Sequence, residues 1–140
     1  MSEKKLKKFY NYKYWREIQR NQLGISANLY FIFSASIFGF TIKFLIDNKN
    51  VLNCLEITLL ITSLSFLILS LFFFTVFTEN RLKDFRETAR LIDDKNSENE
   101  IKEATKKFGI NTWSYYNLQR YTLFLGFIFS IISFLIYIFS

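Results

Sequence analysis

The sequence contains no proline, no histidine, one cysteine (Cys54) and four glycines. Without proline, no ring forces a helix in this chain to kink or stop. Without histidine, it has no side chain that ordinarily titrates near neutrality, and no mixed Cys/His zinc set. A lone cysteine excludes an intrachain disulfide. Charge is also missing over long stretches: Glu56 is the one acidic residue between Asn48 and Thr78.

The 140 residues, enough for one domain, are 51% hydrophobic and 20% aromatic. Their apolar runs are too long for a small soluble core, so the expected class is all-α and integral membrane. Three spans are predicted, at 25–46, 52–77 and 121–139, each long enough to cross about 30 Å of hydrocarbon. Ala35 and Gly39 offer a smooth patch on the first span, and Gly126, Ser130 and Ser133 a small-residue face on the third. These are candidate helix-packing or pore surfaces. On the second span Thr58, Thr62 and Ser65 form a weakly polar stripe, suited to bonding their own helix, reaching a neighbour or lining a narrow path. Glu56 sits about one turn inside that span. It reads as an ion-attracting carboxylate at a pore mouth, or as a snorkelling group or partner of Lys43 across the polar turn at 47–50.

Residues 1–23 carry seven basic and two acidic side chains. Leu6, Phe9, Tyr10, Tyr14 and Ile18 fall near one helical face, which predicts a basic amphipathic helix lying in the membrane interface. Lys4, Lys5, Lys7, Lys8 and Trp15 are its candidate interface contacts. No small-residue cleavage pattern follows the apolar run, so the helix is read as retained. Its place beside a span favours lipid over nucleic acid as the partner of the basic charge.

With no proline or glycine in between, the second span runs on into a charged segment. Leu82, Phe85, Ala89 and Ile92 form a coiled-coil seam there. Ser97 and Glu100 make a capping box that starts a return helix, whose Ile101, Ala104 and Phe108 are expected to meet that seam. The result is a helical hairpin over 78–118, with Gly109 as a break before Trp113, Tyr115 and Tyr116, the aromatic belt of the third span. Arg81, Arg86 and Arg90 read either as a solvated face with counter-ions or as contacts for a cytoplasmic partner or an anionic signalling ligand. The i, i+4 pair Arg86 and Arg90 calls for an outside counter-charge.

Sixteen basic residues flank the spans on the side of the N-terminus and hairpin, against Lys43 and Lys49 at the opposite turn. The positive-inside rule therefore predicts a cytoplasmic N-terminus and hairpin and an outside C-terminus. Abundant Lys, Asn, Ile and Phe point to an AT-rich genome, hence a bacterial inner membrane. At Trp15-Arg-Glu-Ile-Gln-Arg-Asn-Gln-Leu23 and Arg81-Leu-Lys-Asp-Phe-Arg-Glu-Thr-Ala-Arg90 the chain resembles SLATT-like small bacterial membrane proteins, from whose simpler pattern the third span departs. The resemblance implies membrane spans with attached cytoplasmic helices and a pore-forming effector role in antiviral and other conflict systems. It supplies no catalytic residues and no cofactor. The expected function is a homo-oligomeric, membrane-depolarising effector, and the alternative is an anchor that recruits a cytoplasmic partner through the hairpin. A membrane enzyme is disfavoured, because Glu56, Asp84 and Glu87 are accounted for by topology and helix charge.

Overall fold

A computed structural model describes the backbone of residues 3–94 and 98–139, and the side chains from Glu17 onward except those of Ile92 and Glu98. The side chains of Lys4, Lys5, Lys7, Lys8 and Trp15, and all of Ser97, lie outside the described residues. Three helices follow in order: α1 Glu3–Asn48, α2 Cys54–Asp93 and α3 Glu98–Phe139. At 1.5 Å per residue they are roughly 69, 60 and 63 Å long. Each is long and apolar enough to cross a membrane.

The breaks fall where backbone polar groups find local partners. Asn48 ends α1 by donating its side-chain amide to the Phe44 carbonyl (3.0 Å), while its own carbonyl accepts from the amides of Val51 and Leu52. Asn53 precedes α2, and the Glu56 carboxylate reaches back to its backbone N–H (2.8 Å), the reciprocal half of a capping box. Glu56 is 1% exposed, so it neither snorkels nor pairs with the exposed Lys43. Its shallow position, one turn into the helix, is the position a cap requires.

Two expected breaks do not occur. From Glu3 the basic segment is continuous with the first apolar stretch in α1, so no break makes it a separate helix. Gly24 at the junction is accommodated inside the helix. Likewise α3 passes through Gly109 without interruption. A glycine in a helix costs only about 0.5–1 kcal/mol, less than the packing that extends along these helices on either side.

The three helices share a seven-residue repeat, the spacing of a left-handed coiled coil. Ala27, Ser34 and Thr41 face inward on α1, as do Glu56, Ser63, Ser70 and Phe77 on α2, and Thr105, Thr112, Gln119, Gly126 and Ser133 on α3. Leu60 and Leu67, with Tyr116 and Leu123, fill the positions between. Large apolar side chains such as Ile32, Phe40, Ile61, Phe72 and Phe124 point outward. A small, polar interior with a branched and aromatic exterior is the reverse of a water-soluble protein. It suits a solvent as apolar as leucine, in which close approach and hydrogen bonds hold helices together.

That interior is a hydrogen-bond ladder joining all three helices. Ser63 donates to the Gly126 carbonyl (2.7 Å) and lies 2.6 Å from Ser130, which lies 3.3 Å from Thr41. With the one Ser63 proton committed to Gly126, Ser130 donates to Ser63 and Thr41 to Ser130. Ser70 donates to the Gln119 carbonyl and so receives the Ser34 proton, while Gln119 donates its amide to the Ala27 carbonyl. Ser133 closes the ladder at one end by donating to the Glu56 carbonyl. Gly126 makes this approach possible. A Cβ there would meet Leu67 Cγ at 2.8 Å and the Ser63 carbonyl at 3.2 Å.

Beyond Phe77 the seam differs from the expected one. Leu82 and Phe85 are each about half exposed, at 52% and 51%, and Ala89 and Ala104 are exposed as well; Ile92 falls outside the described side chains. Asn80 takes the contact instead, donating to the Phe108 carbonyl (2.9 Å) and the Thr112 hydroxyl (2.7 Å). A stiff helix carries its phase through the junction. At about 100° per residue, Leu82 lies some 140° around from Phe77 and Asn80 only about 60°.

Candidate functional site

All three helices meet around an open cavity of about 590 Å³, just beyond the apolar stretches at the hairpin end. A second hollow of about 470 Å³ adjoins it and shares Arg20, Asp84, Gly109 and Trp113. The inward repeat of α1 brings Arg20 to this place, seven residues before Ala27. That of α2 brings Asp84, seven after Phe77. Their side chains form an ion pair at 3.6 Å in which Asp84 is the more buried partner. Asp84 Oδ1 is buried without a hydrogen-bond partner among the described residues.

Arg81 is the side chain most shaped by this setting. Its guanidinium lies over the rings of Phe77 (5.7 Å) and Phe85 (5.8 Å), a cation–π sandwich from its own helix. It reaches α1 at Gly24, where an added Cβ would come within 2.6 Å of its Nη1. Burial lowers its pKa from the ordinary guanidinium value, the Arg20 charge lowers it further, and Asp84 opposes both. Unlike Arg20, it makes no hydrogen bond or ion pair with any described residue. Lys102 and Lys106 line the adjoining hollow from α3, so among the described residues four cationic side chains and one carboxylate line the two hollows. The aromatic wall is Trp113, stacked on Tyr116 at 5.6 Å.

Of the three arginines singled out by sequence, only Arg81 lines the cavity. Arg90 pairs with Glu87 at 2.7 Å, so its counter-charge comes from its own helix, and Arg86 is exposed outside the cavity. The aromatic belt is divided: Trp113 is exposed, Tyr115 is half-buried against the core, and Tyr116 belongs to the core with Ala27 and Phe77. Arg20, Gly24, Lys102 and Lys106 are additions, and the seven-residue step back from Ala27 was the available signal for Arg20.

The membrane-side candidates separate by face. Gly126, Ser130, Ser133 and Glu56 are inside the bundle, engaged with the chain's own helices. Thr58, Thr62 and Ser65 point away from it and donate to the carbonyls four residues earlier, at 2.8–3.0 Å. Ala35 and Gly39 are also outward, with nothing within 4 Å of a Cβ built on Gly39. Among the described residues no group of three or more His, Cys, Asp or Glu side chains is placed to hold a metal ion.

The chain matches no protein-family model, no curated protein and no solved structure.

Proposed function

We propose that the chain is a non-enzymatic membrane effector that acts as a homo-oligomer. It lies in a bacterial inner membrane with its N-terminus and hairpin in the cytoplasm and its C-terminus outside, and it depolarises that membrane when copies assemble. The observation that carries the assembly is the division between two small-residue faces. One face, Gly126, Ser130 and Ser133, is used within the chain, and the other, Ala35 and Gly39, stands open on the opposite side of α1. In lipid, close approach at such residues is what brings helices together. A single copy has its interior filled by side chains and internal hydrogen bonds, so an aqueous path requires several copies. The outward hydroxyls of Thr58, Thr62 and Ser65 are the groups available to line it. The resemblance to SLATT-like effectors points in the same direction and suggests a role in defence.

A second reading is supported by Leu82, Phe85, Ile110 and Trp113, large apolar side chains exposed on the hairpin beyond the spans. They suit an anchor that receives a cytoplasmic protein. Potassium efflux from vesicles reconstituted at rising protein-to-lipid ratio separates the two. The effector reading predicts efflux that climbs more steeply than linearly with copy density. It also predicts a roughly tenfold drop for Gly39→Leu, which blocks close helix approach. Inserted protein that passes no potassium at any density contradicts it and leaves the anchor.

A further inference from the structure

The three-helix cavity places its charges at a particular depth. The apolar stretch of α1 begins at residue 25 and that of α2 ends at 77, so Arg81 and Arg20 lie roughly 6–8 Å past the hydrocarbon edge and Asp84 about 10 Å past it. The two guanidiniums are therefore at the outer part of the headgroup layer, which extends about 5–8 Å from that edge. The cavity is open, has an aromatic wall, and holds in Arg81 a guanidinium with no hydrogen bond or ion pair to an anionic side chain among the described residues. Phosphate is the anion expected at that depth, and the planar guanidinium matches its oxygens.

We infer that this cavity is a binding site for the phosphate of an anionic membrane lipid, held by Arg81 and Arg20 with the lipid's glycerol region against Trp113 and Phe85. The site rests on the three-span membrane location but not on pore formation, so it can stand if the channel reading fails. Arg20 is oriented by Asp84 and offers its remaining N–H groups. Gly24 provides the space in which the Arg81 guanidinium lies against α1, since a methyl group there would come within 2.6 Å of Nη1 and push the guanidinium away. Lys102 and Lys106 line the adjoining hollow, farther from the apolar stretches.

The test uses the full chain in nanodiscs of mixed phosphatidylcholine and phosphatidylglycerol, with retained lipids counted by native mass spectrometry. Phosphatidylglycerol should be retained over phosphatidylcholine by about tenfold, and Arg81→Gln should remove that preference. Gly24→Ala keeps every charge and favours the helix, yet displaces the guanidinium, and it should weaken the preference several-fold. Arg86→Gln, outside the cavity, should leave it intact. Flotation of each variant with vesicles of either composition checks insertion separately, so a failure to insert is distinguished from a loss of selectivity. Equal retention of the two lipids by the wild-type chain overturns the site, as does a preference that survives both Arg81→Gln and Gly24→Ala. Inorganic phosphate is titrated in phosphatidylcholine nanodiscs as the remaining arm. Saturable quenching of Trp113 by phosphate, in a Trp15→Phe background and without lipid preference, overturns the lipid source in favour of a soluble anion.

Discussion

Gly126→Ala is expected to destabilise the bundle by about 1–3 kcal/mol, the range for forcing a methylene into a packed core. Gly39→Ala is expected to stabilise it by about 0.5–1 kcal/mol, the helix-propensity gain of a methyl that touches nothing. Both are single methyl additions on a helix in an apolar stretch, so helix propensity and hydrophobicity cancel in the comparison. The difference is in the surroundings. At Gly126 the methyl meets the branch point of Leu67 and the Ser63 carbonyl, neither of which is a free side-chain end, and at Gly39 it meets nothing. Separating α2 from α3 by a few tenths of an ångström also stretches the Ser63 bond to the Gly126 carbonyl and the Ser63–Ser130 contact. Denaturing-detergent titration followed by near-ultraviolet dichroism reads the effect, because the aromatic packing is lost while the helices persist. Equal midpoints for the two alanine variants would remove the close α2–α3 contact from the account.

Two glycines inserted after Thr78 should uncouple the hairpin from the spans. Two extra residues turn everything beyond them by about 200°. Asn80 then leaves Phe108 and Thr112, and Asp84 leaves Arg20. The two Asn80 hydrogen bonds contribute about 1–1.5 kcal/mol each, so amide exchange in the first half of α3 should accelerate about 100-fold. The ladder from Ser70 to Glu56 lies on the other side of the insertion and should keep its protection. If α2 is a lever, lipid selectivity at the cavity and potassium efflux from the spans also become independent of one another in this variant. Unchanged exchange in residues 98–118 would mean that the hairpin folds without the register inherited from the spans.

The helical class and the presence of three helices long and apolar enough to cross a membrane are legible in the sequence because they depend on run length and on the absence of helix breakers. Inward and outward faces are harder to read. In a soluble helix, apolar side chains mark the inside, and that rule selects Leu82 and Phe85, which are half exposed. Here the inside is marked by small and polar residues, so Ser34, Ser63 and Ser70 carry the seam, and the more conspicuous Thr58, Thr62 and Ser65 face out. The repeat Glu56, Ser63, Ser70, Phe77, Asp84 is visible once small and polar positions are counted as core, and on α2 it runs unbroken from the apolar stretch into the charged one. Glu56 shows a different obstacle. Its role as a cap depends on where α2 begins, and a helix boundary is less certain from sequence than a helix. Arg81 was identifiable by its charge, but the cavity around it needs Gly24 and Arg20 from a helix about sixty residues away.

The central claim is that the chain closes on itself through the buried small-residue face and meets other copies through the open one. Disulfide trapping in native membranes tests it most directly, with Cys54→Ser as background and a single cysteine placed at Gly39 or at Ser34. The account predicts that Gly39→Cys gives a covalent dimer under mild oxidation, whereas Ser34→Cys, buried against Ser70, stays monomeric. No dimer from Gly39→Cys, or equal dimer from both positions, would contradict it.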